Sequence, residues 1–142
     1  MSLMFEPLRK FATFSGRARR REYWLWQLFI WIISAVLFAW LFAALPDKVV
    51  GTDEFFAMSG NLMEGPTRLP MIVIALVSLA LFLPSLAVSV RRLHDSDKSG
   101  WWLLLNLLAI GALVLLIFFL IDGTRGPNSY GPDPKGRPGP AS

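Results

Sequence analysis

Three stretches, Tyr23–Leu45, Met71–Val90 and Trp101–Ile121, run for 23, 20 and 21 residues without an Asp, Glu, Lys, Arg or His. As α-helices rising about 1.5 Å per residue they reach roughly 30–35 Å, close to the ~30 Å hydrocarbon thickness of a bilayer. A soluble core can bury one such helix, but three would leave a 142-residue domain almost no polar surface. The charges, only 17% of the residues, are segregated into the segments between the runs. The expected fold is therefore a single-domain, all-α membrane protein. It has three transmembrane helices (about 23–45, 70–90 and 101–121), a basic amino-terminal segment, an outer loop 46–69, an inner loop 91–100 and a Gly/Pro-rich extended tail 122–142. The first run is too long for a signal-peptide core, and the "AALPD" behind it is not an A-x-A cleavage site, so it is expected to remain as an anchor.

Charge placement sets the expected orientation. Segment 1–22 carries Arg9, Lys10, Arg17, Arg19, Arg20 and Arg21 against Glu6 and Glu22, and 91–100 adds Arg91, Arg92 and Lys98. The connection 46–69 has Lys48 and Arg68 against four carboxylates. The positive-inside rule puts the amino terminus and 91–100 in the cytoplasm and 46–69 outside. Three full crossings then put the tail outside, with nine basic residues in and five out; without the third crossing the split is twelve to two. Gly111 sits midway along the third run, where a re-entrant turn would fall. Bare backbone at a lipid-facing turn is costly, so one continuous crossing helix is the expectation.

Local signals refine each helix. Ser15 is a candidate N-cap for the first, and Tyr23, Trp24 and Trp26 form an aromatic belt at its membrane edge. At 100° per residue Arg20, Tyr23, Gln27 and Ser34 share a polar stripe, as do Ser78, Ser85, Ser89 and Arg92 on the second helix. Pro70 suits a first helical turn, whereas Pro84 deprives the Ala80 carbonyl of its donor and should kink the second helix. Ser99 is a candidate N-cap for the third, Trp101 and Trp102 are interface anchors, and the Asn106 amide is expected to bond across helices. The outer loop reads as irregular, with room for a short surface helix over Asp53–Met63.

These placements gather Arg17, Glu22, Arg91, Arg92, His94, Asp95 and Asn106 into a polar rim at the cytoplasmic face, in which the acids should pair with Arg17, Arg91 or Arg92. One histidine and no cysteine leave His94, Asp95 and Asp97 as a weak divalent-ion site at best, so no metal or cofactor is expected. His94 beside Asp95 could serve as a general base on a lipid headgroup, but neither a nucleophile nor a phosphate loop accompanies it, so no catalytic residue is assigned. An oligomeric transporter or channel would have to use Ser78, Ser85, Gln27 and Asn106, with no ionisable residue in any span. The preferred expectation is a non-enzymatic module. Its rim binds anionic lipid or a partner protein, with Arg17, Arg19, Arg20 and Arg21 as headgroup contacts and Tyr23, Trp24, Trp101 and Trp102 setting depth. A homo-oligomer is an open alternative, and nucleic acid is not expected as a partner.

Three motifs, "FSGRARRREYW", "RRLHDSDKSGWW" and "GPNSYGPDP", occur in that order around the apolar runs. Together they resemble the domain-of-unknown-function 805 family of small bacterial inner-membrane proteins, and the likeness covers nearly the whole chain. The resemblance implies a multi-pass protein of the bacterial cytoplasmic membrane and carries no catalytic residue with it. It also implies that Gly16, Arg17, Arg19, Arg21, Glu22, Trp24, Arg91, Arg92, His94, Asp95, Ser99, Gly100, Trp101, Asn128, Gly131 and Pro134 are motif positions.

Overall fold

The computed structural model describes residues 6–45 and 65–139. Its α-helices are a single turn α1 (Glu6–Arg9), α2 (Arg20–Ala43), α3 (Arg68–Asp95, entered by the 3-10 turn Gly65–Thr67) and α4 (Ala109–Leu120). A 3-10 segment, Gly100–Leu107, precedes α4. Among the described residues there is no β-strand, only an isolated bridge between Asn128 and Gly131. The short helix expected over Asp53–Met63 lies outside the described residues.

Helices α2 and α3, at 24 and 28 residues, reach about 36 and 42 Å and so exceed the hydrocarbon thickness. Only 6% of the most apolar stretch of α2 and 17% of that of α3 is buried. A soluble core helix would be mostly covered, so these apolar surfaces face a lipid-like environment. α3 runs on through Pro84 and past Val90 to Asp95, further than the apolar pattern alone indicates, because the charges at its end are paired by neighbouring segments. α2 begins at Arg20, not beside Ser15: residues 15–19 instead cross the end of α3, with the Ala18 amide donating to the Arg91 carbonyl at 2.9 Å.

The third apolar run differs from expectation. It is not one 21-residue helix but two pieces broken at Leu108, whose backbone is extended (φ −104°, ψ 133°). Trp102 packs edge-on against Phe118 at 5.4 Å, and Gly111 lies against Leu105, so the pieces fold back on one another as a hairpin with Leu108 at its tip. Its arms are about 16 Å of 3-10 helix and 18 Å of α-helix, each near half the hydrocarbon thickness. The turn pairs part of its own backbone: Leu108 N–H donates to Leu105 O, and Gly111 N–H to Leu108 O, both at 2.9 Å. That self-pairing lowers the penalty that argued for a continuous crossing. Gly111 permits the close approach, since a Cβ there would lie 1.8 Å from the Leu105 carbonyl oxygen.

The chain divides into two compact units, Met1–Leu28 with Phe82–Ser142, and Phe29–Leu81. The second holds the far parts of α2 and α3, with Trp31, Val36, Phe42, Leu76 and Leu79 exposed. The first contains the whole candidate site.

Candidate functional site

The site is built where α3 ends. Asp97 takes a left-handed conformation (φ 56°), which Asp tolerates better than most residues. The Lys98 N–H then donates to Leu93 O and the Asp97 N–H to His94 O, both at 3.0 Å, the paired bonds of a Schellman cap. This reversal aims 98–100 at the 3-10 segment, where the Ser99 hydroxyl accepts from Trp101 N–H at 3.4 Å, the expected cap on a different kind of helix.

Asp95 is the hub. Its Oδ1 accepts from Arg17 Nε at 2.9 Å and lies 2.9 Å from Arg17 Nη2 as an ion pair, while its Oδ2 accepts from Arg92 Nη1 at 2.9 Å. Glu22 accepts separately from Arg91 at 2.9 Å. Arg17, Arg91, Arg92 and Asp95 have side chains at most 1% exposed. Such groups persist out of water as charge-assisted pairs. Arg17 has its remaining donors on carbonyls, whereas Arg91 Nε and Nη2 and Arg92 Nε are buried without a hydrogen-bond partner among the described residues. Arg17 Nη1 donates to Gly126 O at 2.8 Å and its Nη2 to Thr124 O at 2.6 Å, while Arg92 donates to Ile121 O. His94 Nδ1 lies 3.2 Å from Gly16 O, and its ring stacks on Tyr130 at 3.8 Å and 7°.

The tail completes this cluster, and it does not extend away from the protein. Thr124 N–H donates to Asp95 O at 2.9 Å, Asn128 Nδ2 to His94 O at 2.9 Å, and Arg19 donates to Pro134 O. Asp133 lies 4.0 Å from Arg17, so Glu22, Asp95 and Asp133 together match Arg17, Arg91 and Arg92 in charge. Gly123 is packed so tightly that a Cβ would fall 1.9 Å from Asp95 Oδ2. The tail arginine Arg137 donates to Asp133 and Asp122, and Lys135 also bonds Asp122.

Hydrogen bonding from Lys135 brings the Asp122 carboxyl down to about 2, and bonding from Arg137 brings Asp133 down to about 2. Both lie below the unfolded value of about 3.9, so their pairing stabilises the docked tail above roughly pH 4 and is lost as pH falls towards 2. Amide exchange at Thr124 is expected to stay slow at pH 5 and to accelerate sharply between about pH 4 and 2 once corrected for intrinsic rates. Protection unchanged across that range would contradict the tail pairing.

The structure thus brings Arg17, Glu22, Arg91, Arg92, His94 and Asp95 together and leaves Asn106 out. Asn106 lies on the 3-10 arm and lines a cavity of about 460 Å³ with Tyr23, Gln27, Ser85 and Ser89. The cross-helix bond expected of its amide is not made among the described residues. Tyr23 is turned inward, 4.4 Å from the Phe119 ring, and Trp24 Nε1 donates to Phe119 O at 3.3 Å, so both brace α4. Trp101 is the most exposed of the four expected anchors, at 78%, and Trp102 follows at 39%. Arg17 is enclosed, whereas Arg19 and Arg21 are exposed and Arg20 is half-exposed. Thr124, Gly126, Tyr130 and Asp133 had no helical periodicity to announce them; the signal available was the density of turn formers in "GPNSYGPDP", where Asn128 Oδ1 accepts from Tyr130 N–H at 2.9 Å. Among the described residues no cluster of three or more His, Cys, Asp or Glu is arranged to hold a metal ion.

Residues 11–132 match the family model described as "Protein of unknown function (DUF805)". The inner membrane protein YhaI of Escherichia coli strain K12 is 41% identical over 136 residues, covering 95% of this chain and 97% of the relative. Inner membrane protein YhaH of the same strain is 39% identical over 139 residues, covering 97% and 100%. The uncharacterized protein YiiR of that strain is 28% identical over 148 residues, with 85% of each chain covered. No solved structure matches. All three motifs of the buried network fall essentially within the matched region, and the unburied apolar helices agree with relatives named for the inner membrane: the chain is an integral α-helical membrane protein belonging to the DUF805 family.

Proposed function

We propose that this protein is a non-enzymatic module of the bacterial inner membrane that crosses the bilayer twice, through α2 and α3, and inserts the third apolar run as a hairpin from the cytoplasmic side. Both ends of the described chain then face the cytoplasm. The observation that carries this reading is the charge of the unit holding the rim: twelve arginines and lysines against six carboxylates, leaving only Lys48 and Arg68 elsewhere. That asymmetry is what the positive-inside rule demands of a cytoplasmic face.

In this reading the inner cluster is a lock and the outer cations are the ligand surface. Arg17, Arg91 and Arg92 are occupied by carboxylates, so they hold the tail to α3. Arg19, Arg21 and Arg125 are exposed and Arg20, paired with Asp122 at 3.5 Å, is half-exposed, and these face the anionic headgroups of the inner leaflet. A headgroup-contacting cation contributes roughly 1 kcal/mol. The triple variant Arg19→Gln, Arg20→Gln, Arg21→Gln is therefore expected to lose at least tenfold of the phosphatidylglycerol enrichment around the protein in mixed-lipid nanodiscs, with the loss mimicked by raising salt. Equal enrichment around wild type and triple variant would defeat the lipid-binding reading.

A further inference from the structure

The cavity that takes in Asn106 lies within the unit that holds the rim, yet no charged residue lines it. Gln27 is seven residues beyond Arg20, about 10 Å along α2, and Ser85 is ten residues before Asp95, about 15 Å along α3. Asn106 is six residues past Gly100, about 12 Å along the 3-10 arm. In the topology proposed above these polar side chains sit near mid-membrane depth, below the level that phospholipid headgroups reach. Ser85 Oγ already accepts from Trp26 Nε1 at 3.0 Å, and Ser89 Oγ donates to Ser85 O at 2.7 Å. The amides of Gln27 and Asn106 make no side-chain hydrogen bond to another described residue. Within the protein itself Gln27 is half-buried and Asn106 exposed. In the proposed topology both amides therefore meet hydrocarbon without partners, which is unfavourable, and two of them on one cavity wall point to a guest that supplies the missing partners.

We propose that this cavity binds an uncharged lipid whose carbonyl or hydroxyl oxygens are held by Gln27 and Asn106. A charged head is disfavoured because no counter-ion lines the cavity and the depth penalises ions. The remaining wall, including Leu103, Leu115 and Leu116, suits the hydrocarbon chain of the guest. The volume falls in the usual range for small-molecule sites, large enough for a compact polar head and the first part of its chain. Two membrane sources share that chemistry: neutral glycerides and polyprenyl quinones. The site is separate from the cationic surface assigned to anionic headgroups; it rests on the membrane topology proposed above but not on lipid binding at that surface.

The test uses the full-length protein in phosphatidylcholine nanodiscs with three photoreactive probes: a diacylglycerol, a polyprenyl benzoquinone, and a phosphatidylglycerol carrying the same acyl chains as the first. One neutral probe is expected to label cavity residues saturably, at least fivefold above the phosphatidylglycerol probe, and its identity assigns the source. The double variant Gln27→Leu, Asn106→Leu should cut that labelling about tenfold or more, because two hydrogen bonds are lost. It should remain folded, since apolar groups of similar size replace unpartnered amides. Ala112→Phe, which fills the cavity from α4, should remove the labelling while retaining the arginine-dependent lipid enrichment. Labelling by neither neutral probe above the charged control, or labelling unchanged in both the double variant and Ala112→Phe, would overturn the site.

Discussion

Replacing Asp95 with asparagine is expected to cost about 3–5 kcal/mol, the penalty for breaking a buried ion pair by removing one partner. The estimate belongs at the upper end because one carboxylate serves two guanidiniums, Arg17 through Oδ1 and Arg92 through Oδ2. Asparagine keeps the shape and one acceptor oxygen but cannot neutralise either cation, and its amide group would face an arginine donor. Since membership of a folded population rests on a margin of only 5–15 kcal/mol, the variant should accumulate poorly and unfold at markedly lower temperature in detergent. Arg92→Met is expected to cost less, because the Asp95 carboxylate keeps its hydrogen bond and ion pair with Arg17. Limited proteolysis supplies the second readout: Asp95→Asn should expose the segment around Thr124–Asp133, while Arg92→Met should leave it largely protected. A tail equally protected in wild type and Asp95→Asn would show that the hub does not hold it.

The contrast between what was legible in the sequence and what was not follows from the range of the forces involved. The long apolar helices α2 and α3 were readable because a charge-free run of that length has few alternatives near water. The pairing of Arg17, Arg91 and Arg92 with Glu22 and Asp95 followed from neutralisation, since all five residues were expected at one membrane face. The third run misled because hydropathy records composition and not direction: 21 apolar residues suit one crossing or two half-length arms equally well. Gly111 marked the place where the arms could meet, but only the contact with Leu105 reveals that it does so. The tail followed the same course. Its glycines and prolines excluded helix, as read, yet those turns are what let Gly126 and Thr124 carbonyls converge on Arg17. Asp133 could not be placed in the cluster until the tail returned to the face of Arg17.

The hairpin makes the second large expectation, carried by Gly111. Alanine there gains up to about 1 kcal/mol in intrinsic helix preference, so an isolated α4 would be strengthened. The new Cβ, however, would lie 1.8 Å from the Leu105 carbonyl oxygen and 2.6 Å from its carbon, and backbone atoms cannot rotate away as a side chain can. Overpacking of this kind costs about 1–3 kcal/mol and occasionally more, and here it acts on the contact that closes the arms. Gly111→Ala is therefore expected to lower the unfolding temperature despite the propensity gain, whereas Gly139→Ala, which meets nothing within 4 Å, should be neutral. Sidedness is read in the same background, which contains no native cysteine. Single cysteines at Ser15 and Ser129 should react with an impermeant thiol reagent from the same face of the membrane, because Arg17 and Asp95 tie their segments together. In Gly111→Ala, reaction at position 129 should quicken as the tail loosens, still from that face, since the cations that hold it inside are unchanged. Reaction of the two positions from opposite faces in the wild-type background would establish a third crossing and eliminate the hairpin.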